Sequence, residues 1–159
     1  MAAILACALA AFSTFTALAD PARAAPALPG AGDLAADGVA AKAQKLPILL
    51  FFNRVGCPYC ERALRQFLTP MQRDPAYAGR VIFRQVEIDK AMRLVDFAGH
   101  VTTHRDFASH YDIRLTPTIW FVDGDGNVLA EPIVGLRTAD FYGYYLDQAI
   151  DESRARLQR

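Results

Sequence analysis

The chain has 159 residues, of which 53% are hydrophobic and 11% aromatic. This is enough to bury the core of one domain, and it excludes extended disorder. The 17 basic and 17 acidic side chains balance, so the charge does not indicate binding to nucleic acid or to an anionic membrane surface.

The N-terminal segment is typical of an export signal. Residues 2–19 carry no charged side chain, and small residues at 17–19 and 22–24 fit the pattern that precedes signal-peptidase cleavage. We predict a signal peptide over residues 1–24, with a membrane-anchored N-terminus as the alternative because the run just reaches spanning length. Cleavage would remove Cys7 and leave only Cys57 and Cys60. In an exported protein this favours a thiol–disulfide catalyst over a scaffold held by disulfides.

The next segments lead into the predicted domain. Residues 25–32 are rich in alanine, proline and glycine and are predicted to be a linker. Asp33 is a good cap for a helix over residues 34–45, although Gly38 lowers its helix propensity. The continuous apolar run of residues 47–52 is typical of a strand buried on both faces.

The motif C-P-Y-C at residues 57–60 follows this strand. Cys57 is predicted to cap a helix and Pro58 to occupy its first turn, where the missing N–H of proline costs nothing. Free N–H groups and the helix dipole would then favour the Cys57 thiolate, and Arg54 would add to this effect. Three residues of helix bring the two Cα atoms to roughly 5–6 Å, a distance that a disulfide can span.

Cys60 begins the apolar stripe of this helix, so we expect it to be buried while Cys57 is exposed. The stripe consists of Cys60, Ala63, Leu64, Phe67, Leu68 and Met71. Pro70 should kink or end the helix. A static disulfide and half of a metal site are alternatives to a redox couple. Zinc would need two more ligands, and the strand-to-helix position favours the redox couple, so no metal site is predicted.

The middle of the chain is less regular. A second strand is predicted over residues 80–88. Residues 93–103 are expected to form a small hairpin with its turn at Gly99, followed by a short helix over residues 105–111. The histidines of this region are interpreted as solvated surface side chains: His100, His104 and His110.

The last third of the chain predicts a hairpin and a helix. A strand over residues 118–122 follows Thr116 and Pro117, and proline is tolerated at the head of a strand. Residues 123–127 form a turn that lacks the glutamate of a calcium loop, and a second strand over 128–134 ends at Gly135. Thr138 or Asp140 begins a helix. Its predicted buried face consists of Tyr142, Tyr145, Leu146, Ala149 and Ile150. Residues 153–159 are expected to be a fraying polar tail.

The order of these elements resembles the thioredoxin fold over residues 33–152. The match depends on Phe51-Phe52 before the C-P-Y-C motif, on Y-D-I-R-L-T-P-T at 111–118, and on Val134-Gly135 before the last helix. The resemblance implies an α/β domain with a central mixed sheet flanked by helices. It also implies a small insertion, residues 89–105, before the cis-proline strand. Residues 95–99 and 116–123 are similar to the periplasmic thioredoxins associated with sulfur oxidation (SoxW-like), which implies a periplasmic location.

The resemblance implies a role for each residue of the site. Cys57 would attack a substrate disulfide, and Cys60 would resolve the mixed disulfide. Pro117 would be a cis-proline that faces the disulfide. Thr116 would offer backbone groups to an extended substrate segment.

Other positions of the site depart from thioredoxin. Pro58 and Tyr59 would contact the same substrate. Gly56, just before the first cysteine, stands where thioredoxin usually has tryptophan. Phe51 stands where thioredoxin has the buried aspartate that accepts a proton. Glu61 is a candidate replacement and a candidate modulator of the thiol pKa.

The implied activity is that of a protein-disulfide reductase. Its partners would be disulfide-containing periplasmic proteins and a membrane thiol donor of the DsbD or CcdA type, and its only redox centre the Cys57–Cys60 disulfide, without another cofactor. A disulfide oxidant or isomerase is the alternative, since a difference of about 30 mV corresponds to only about 1.4 kcal/mol. A copper- or zinc-binding chaperone is a further alternative. C-P-Y-C also occurs in glutaredoxins, but the chain after Pro117 lacks the glycine pair expected for glutathione binding.

Overall fold

The structure, a computed structural model, describes residues 27–137 and 139–159. The predicted signal peptide, with Cys7, lies outside the described residues. None of the described helices is long and apolar enough to cross a membrane.

The described residues form a mixed sheet flanked by helices. In chain order the elements are α1 (Leu34–Gln44), β1 (Ile48–Asn53), α2 (Pro58–Ala63), α3 (Thr69–Arg73), β2 (Ile82–Glu87), β3 (Arg93–Val95), β4 (Val101–Thr103), α4 (His104–His110), β5 (Thr118–Val122), β6 (Ile133–Val134) and α5 (Tyr142–Leu157). The central sheet has the order β2-β1-β5-β6, and β3 and β4 form a separate two-stranded sheet. β1 pairs in parallel with β2 and antiparallel with β5, as the α/β prediction requires.

Helices cover both faces of the central sheet, and every residue of β1 is therefore buried. Alternate side chains of β1 point to opposite faces because the strand is pleated. Leu49 and Phe51 pack with apolar residues of α2 and α5, and we call this side the disulfide face. Leu50 and Phe52 pack with residues of α1, β3 and α4, and we call this side the hairpin face. The predicted doubly buried strand is confirmed.

The first helix begins where the sequence predicted. The Asp33 carboxylate caps α1 by accepting the Ala36 N–H at 2.8 Å. Gly38, a weak point for helix propensity, is buried against the turn after β5. A Cβ at Gly38 would overlap the carbonyl oxygen of Gly124. The glycine therefore permits close packing of α1 on that turn.

The predicted linker over residues 25–32 forms no helix or strand in its described part, but this part packs against the sheet. Gln85 of β2 donates its N–H to Pro29 O and accepts the Ala31 N–H, both at 2.9 Å. Leu28 and Ala31 are buried. The segment thus covers the outer edge of β2, whose free backbone groups invite pairing. Composition alone gives no sign of that edge.

The helix after Cys60 does not end at Pro70, which is one of the two outcomes expected there. α2 passes through a π-helical turn (Leu64–Leu68) into α3, and the Thr69 N–H bonds to Leu64 O. Pro70 lies in the first turn of α3, where a proline needs no N–H partner. Because the hydrogen-bond register changes just before Pro70, the missing donor does not terminate the helix.

The hairpins agree with the sequence only in part. β3 and β4 pair as predicted, and Gly99 in their turn has a φ of 87°. The strand expected over residues 128–134 is shorter, since only β6 pairs with β5, besides an isolated bridge between Val122 and Val128. Pro132 has no N–H to donate, which interrupts the ladder before β6.

The C-terminal helix differs from the prediction at both ends. α5 begins at Tyr142 after a 3₁₀ turn (Ala139–Phe141), and Thr138 lies outside the described residues. Tyr145, expected in the buried face, is exposed. Ser153 is buried, and its hydroxyl donates to Ala149 O at 2.6 Å. Residues 153–157 therefore continue the helix, and the predicted fraying tail is wrong for them, because the i−4 carbonyl satisfies the serine hydroxyl.

Candidate active site

The two cysteines form a disulfide at the start of α2, with Cα atoms 5.2 Å apart. Cys57 is the N-cap of the helix, and its Sγ accepts the Cys60 N–H at 3.2 Å. Pro58 occupies the first turn. The predicted capping position is confirmed. It places a backbone donor on the sulfur expected to ionise.

Cys57 is more exposed than Cys60, as predicted, but it is less exposed than expected. Cys60 is 2% exposed and Cys57 is 8% exposed, so Cys57 is largely buried rather than exposed. In the disulfide each sulfur covers the other. Thr116 covers Cys57 from a further side, with its carbonyl oxygen 3.8 Å from Sγ. The first sulfur therefore reaches solvent over a small area only.

The segment before β5 lies against Cys57. The Thr116–Pro117 peptide bond is cis, and Pro117 O accepts the Gly135 N–H at 2.8 Å. The Thr116 hydroxyl lies 3.7 Å from Cys57 Sγ. Sequence reasoning assigned only backbone groups of Thr116 to the site. It missed the side chain because 59 residues separate Thr116 from Cys57 and no local pattern joins them.

Arg54 contacts the segment before Pro117 through two donors. Its Nε donates to Thr116 Oγ1 at 3.2 Å, and its Nη2 donates to Arg114 O at 3.1 Å. The structure thus brings Arg54 into the site through Thr116, which in turn contacts Cys57.

The loop that carries Arg54 is itself held in place. The backbone N–H of Val55 donates to Asp89 Oδ2 at 3.3 Å, and Gly56 has a φ of 69°, a conformation that suits glycine. This explains why glycine stands before Cys57.

A carboxylate beside Cys60 is not found. Phe51 is buried on the disulfide face, Glu61 is exposed, and no Asp or Glu is buried among residues 27–137 and 139–159. The buried polar group at the end of β1 is Asn53, whose Oδ1 has no hydrogen-bond partner. Sequence reasoning missed this residue, because the predicted strand ended at residue 52, whereas β1 continues to Asn53.

Exposed apolar side chains flank the disulfide. Tyr59, between the cysteines, is 62% exposed, and Val55 and Leu115 are similarly exposed. We call these three residues the apolar rim. Each lies one or two residues from Cys57, Cys60 or Thr116. Exposed apolar side chains grouped in this way indicate a surface that contacts another molecule.

The histidines do not join the site, and one of them contradicts the sequence interpretation. His100 and His110 are exposed, but His104 is 1% exposed. Its Nδ1 accepts the Glu87 N–H and its Nε2 donates to Ala31 O, both at 3.0 Å. Burial lowers the pKa of His104 below 6.5, so the ring is neutral and connects three segments of the hairpin face. Within the part of the chain that the structure describes, no group of three or more His, Cys, Asp or Glu side chains could hold a metal ion.

The arrangement is suited to thiol–disulfide exchange. After reduction, the Cys57 thiolate would keep the Cys60 N–H as a donor, and the Thr116 hydroxyl would be placed to donate as well. Hydrogen bonds to the charged form of a group lower its pKa. Cys60 lies within bonding distance of the same sulfur, so it can displace whatever Cys57 has bound.

Comparisons with known proteins point to one family. The family model described as a thioredoxin-like domain matches residues 34–150, the greater part of the chain. No curated protein matches the sequence.

Solved structures show the same fold. Oxidised mitochondrial thioredoxin 3 from Saccharomyces cerevisiae is similar with a TM-score of 0.53 and 18% identity, over 79% of this chain and 94% of that chain. A poplar thioredoxin h mutant has a TM-score of 0.54 and 16% identity, over 78% and 83%. The reduced thioredoxin pre-protein of Schistosoma mansoni has a TM-score of 0.50 and 17% identity, over 79% and 96%. Identities this low establish the fold alone.

Proposed function

The chain belongs to the thioredoxin-like domain family, and on this premise we propose that it reduces protein disulfides in the periplasm, the role that its resemblance to SoxW-like thioredoxins implies. The observation that carries the proposal is the disulfide at the start of α2. There the Cys57 sulfur faces the Cys60 N–H and the Thr116 hydroxyl. Donors on one sulfur and a partner sulfur within bonding distance are what reversible exchange requires.

The reaction begins with the reduced pair. The Cys57 thiolate attacks one sulfur of the substrate disulfide, an S–S bond forms to Cys57, and the other substrate sulfur leaves as a thiolate. Cys60 then loses its proton to water and attacks Cys57 Sγ. The bond between Cys57 and the substrate breaks, and the second substrate sulfur leaves. Two electrons pass from the cysteine pair to the substrate, which takes up two protons.

The assignment of the two thiols follows from burial and hydrogen bonding. Cys57 caps the helix, is the more exposed of the pair and faces two donors, whereas Cys60 is 2% exposed inside the apolar cluster of the disulfide face. A buried thiol without such donors ionises less readily. Cys57 is therefore the nucleophile and Cys60 the resolving thiol.

The surface around the disulfide suits an extended protein segment. Thr116 precedes β5, so its backbone can pair with a substrate strand. Pro58 and the apolar rim would contact the substrate side chains beside its disulfide. The proposed partners are disulfide-containing periplasmic proteins, and a membrane thiol donor of the DsbD or CcdA type would return the site to the dithiol state.

The test is the reduction of insulin with dithiothreitol as the electron donor. The wild type should precipitate insulin faster than dithiothreitol alone, and Cys57→Ser should lose this activity. In the full 159-residue chain, with residues 1–24 retained, Cys7→Ser leaves the redox pair intact; it is the matched control and should keep the activity. An inactive wild type would contradict the proposal.

A second experiment separates the roles of the two cysteines. Cys60→Ala should hold substrates as stable mixed disulfides on Cys57, because the resolving thiol is missing. The adducts should appear on non-reducing gels and disappear with dithiothreitol. Adducts on Cys60 in the Cys57→Ser variant instead would reverse the assignment.

A disulfide oxidant is the second candidate, and the two donors on Cys57 Sγ favour it. Donors that stabilise the thiolate stabilise the reduced protein and so raise its reduction potential. A glutathione redox titration measures this potential. A value of about −270 mV supports the reductase, and one of about −120 mV supports the oxidant.

A further inference from the structure

Three side chains at the disulfide form a continuous chain of contacts that begins at Arg54. We infer that Arg54 and Thr116 form a hydrogen-bonded relay that favours the Cys57 thiolate. Thr116 is the donor to the sulfur, and Arg54 is the positioning residue that orients it. The inference rests on the proposed function, since it concerns the ionisation of the nucleophile in that site.

The direction of the relay follows from which groups can donate. A guanidinium has no acceptor, so in the 3.2 Å contact Arg54 Nε donates and Thr116 Oγ1 accepts. The hydroxyl hydrogen must then point elsewhere. Cys57 Sγ lies 3.7 Å from Oγ1. A sulfur in a disulfide carries no hydrogen, so the threonine is the donor in this contact.

The relay becomes stronger when the disulfide is reduced. The sulfur then carries a negative charge, and a hydrogen bond to an ionised acceptor is roughly twice as strong as one between neutral groups. The Arg54 cation on the other side of the hydroxyl polarises the O–H bond in the same direction. Throughout the exchange the hydroxyl keeps its proton, and only the charge on Sγ changes.

Two anchors hold Arg54 in this orientation. Its Nη2 donates to Arg114 O at 3.1 Å. The guanidinium therefore binds the backbone of the segment before Pro117 as well as the Thr116 hydroxyl. The planar fork of arginine allows two directed bonds of this kind. The side chain of Arg114 points away to Asp112 and is 83% exposed.

The experiment measures the ionisation of Cys57 in the Cys60→Ala protein. The rate of alkylation by iodoacetamide is followed against pH, with mass spectrometry of the peptide that contains Cys57. Thr116→Val should raise the pH midpoint and lower the rate below that midpoint roughly ten- to a hundredfold, as expected for the loss of one hydrogen bond to a charged group. Arg54→Met should act in the same direction.

The double variant distinguishes a relay from a direct charge effect. If Arg54 acts through Thr116, Arg54→Met should have no further effect in Thr116→Val. Thr116→Ser, which keeps the hydroxyl, should restore the wild-type midpoint. Arg114→Met is the matched control, since it removes a charge from the same segment without removing the carbonyl that Arg54 binds, and it should leave the midpoint unchanged.

Three results would overturn the relay. They are additive shifts from Arg54→Met and Thr116→Val, an equal shift from Arg114→Met, and no shift from Thr116→Val. The titration is independent of substrate turnover. A protein that fails to reduce insulin but shows the coupled midpoints would therefore contradict the proposed function and support the relay.

Discussion

Both faces of the central sheet carry a buried apolar cluster, but they use their polar groups differently. On the disulfide face, Cys57 and Cys60 lie at the end of the buried cluster, where a helix begins and exposed side chains surround it. On the hairpin face, His104 lies inside the cluster with both ring nitrogens bonded to backbone.

The difference shows what separates a chemical role from a structural one in this fold. The imidazole of His104 has no free nitrogen, and burial holds it neutral. The sulfur of Cys57 is bonded to Cys60 and accepts the Cys60 N–H, and the Thr116 hydroxyl lies 3.7 Å from it. A reactive group must be reachable by its substrate and must have an atom that is free to form a new bond. Burial with full hydrogen bonding removes both conditions.

Among the variants that test the difference between the two faces, His104→Leu is expected to change stability the most. The substitution leaves the Glu87 N–H and the Ala31 carbonyl buried without partners, at about 1–3 kcal/mol each. We expect a loss of about 2–6 kcal/mol in the free energy of unfolding, measured with urea, and an unchanged reduction potential.

The control for this variant is His110→Leu, which makes the same chemical change at an exposed position. It should change stability by less than about 0.5 kcal/mol. A large shift of the reduction potential in His104→Leu would show that the two faces are not separate in function.

A smaller effect is expected from Gly38→Ala on the hairpin face. Alanine favours a helix by about 1 kcal/mol over glycine, but the added Cβ would overlap Gly124 O. Overpacking of this kind costs about 1–3 kcal/mol, so the variant should be less stable in urea. Gly32→Ala is the control, because no atom lies within 4 Å of its added Cβ. A Gly38→Ala protein more stable than the wild type would exclude the close contact.

The smallest effect is the pH dependence that His104 adds to stability. Its pKa is lowered from 6.5 by burial, so below pH 6.5 the unfolded chain binds more protons than the folded chain. The contribution of His104 to the free energy of unfolding is therefore complete above pH 6.5. It is lost as the pH falls through the folded-state pKa, and the free energy then changes by up to about 1.4 kcal/mol per pH unit.

This dependence can be isolated from that of other groups. The difference in unfolding free energy between the wild type and His104→Leu should shrink as the pH falls from about 7.5 to about 5. Hydrogen bonds lower the pKa of Asp96 and Asp123 below 3.8, despite the opposing effect of burial, so their contributions are lost only in a more acidic range. A constant difference over this interval would contradict the neutral, buried ring.

Local patterns in the sequence predicted much of the fold. The apolar run of β1, the cap at Cys57 and the hairpin turn at Gly99 each depend on residues a few positions apart. Predictions failed where a distant segment decided the outcome. The edge of β2 orders residues 27–32, and the buried face of α5 extends to Ser153.

The amino-acid sequence by itself determined that two thiols stand three residues apart at the start of a helix, because capping and helical periodicity are local properties. Only the tertiary structure decided that the Thr116 hydroxyl meets Cys57, that Arg54 binds Thr116 and that His104 is buried. Thr116 lies 59 residues from Cys57, and Ala31 lies 73 residues from His104. Contacts across such separations arise from the packing of whole elements around the sheet, so the spacing of residues in the sequence does not predict them.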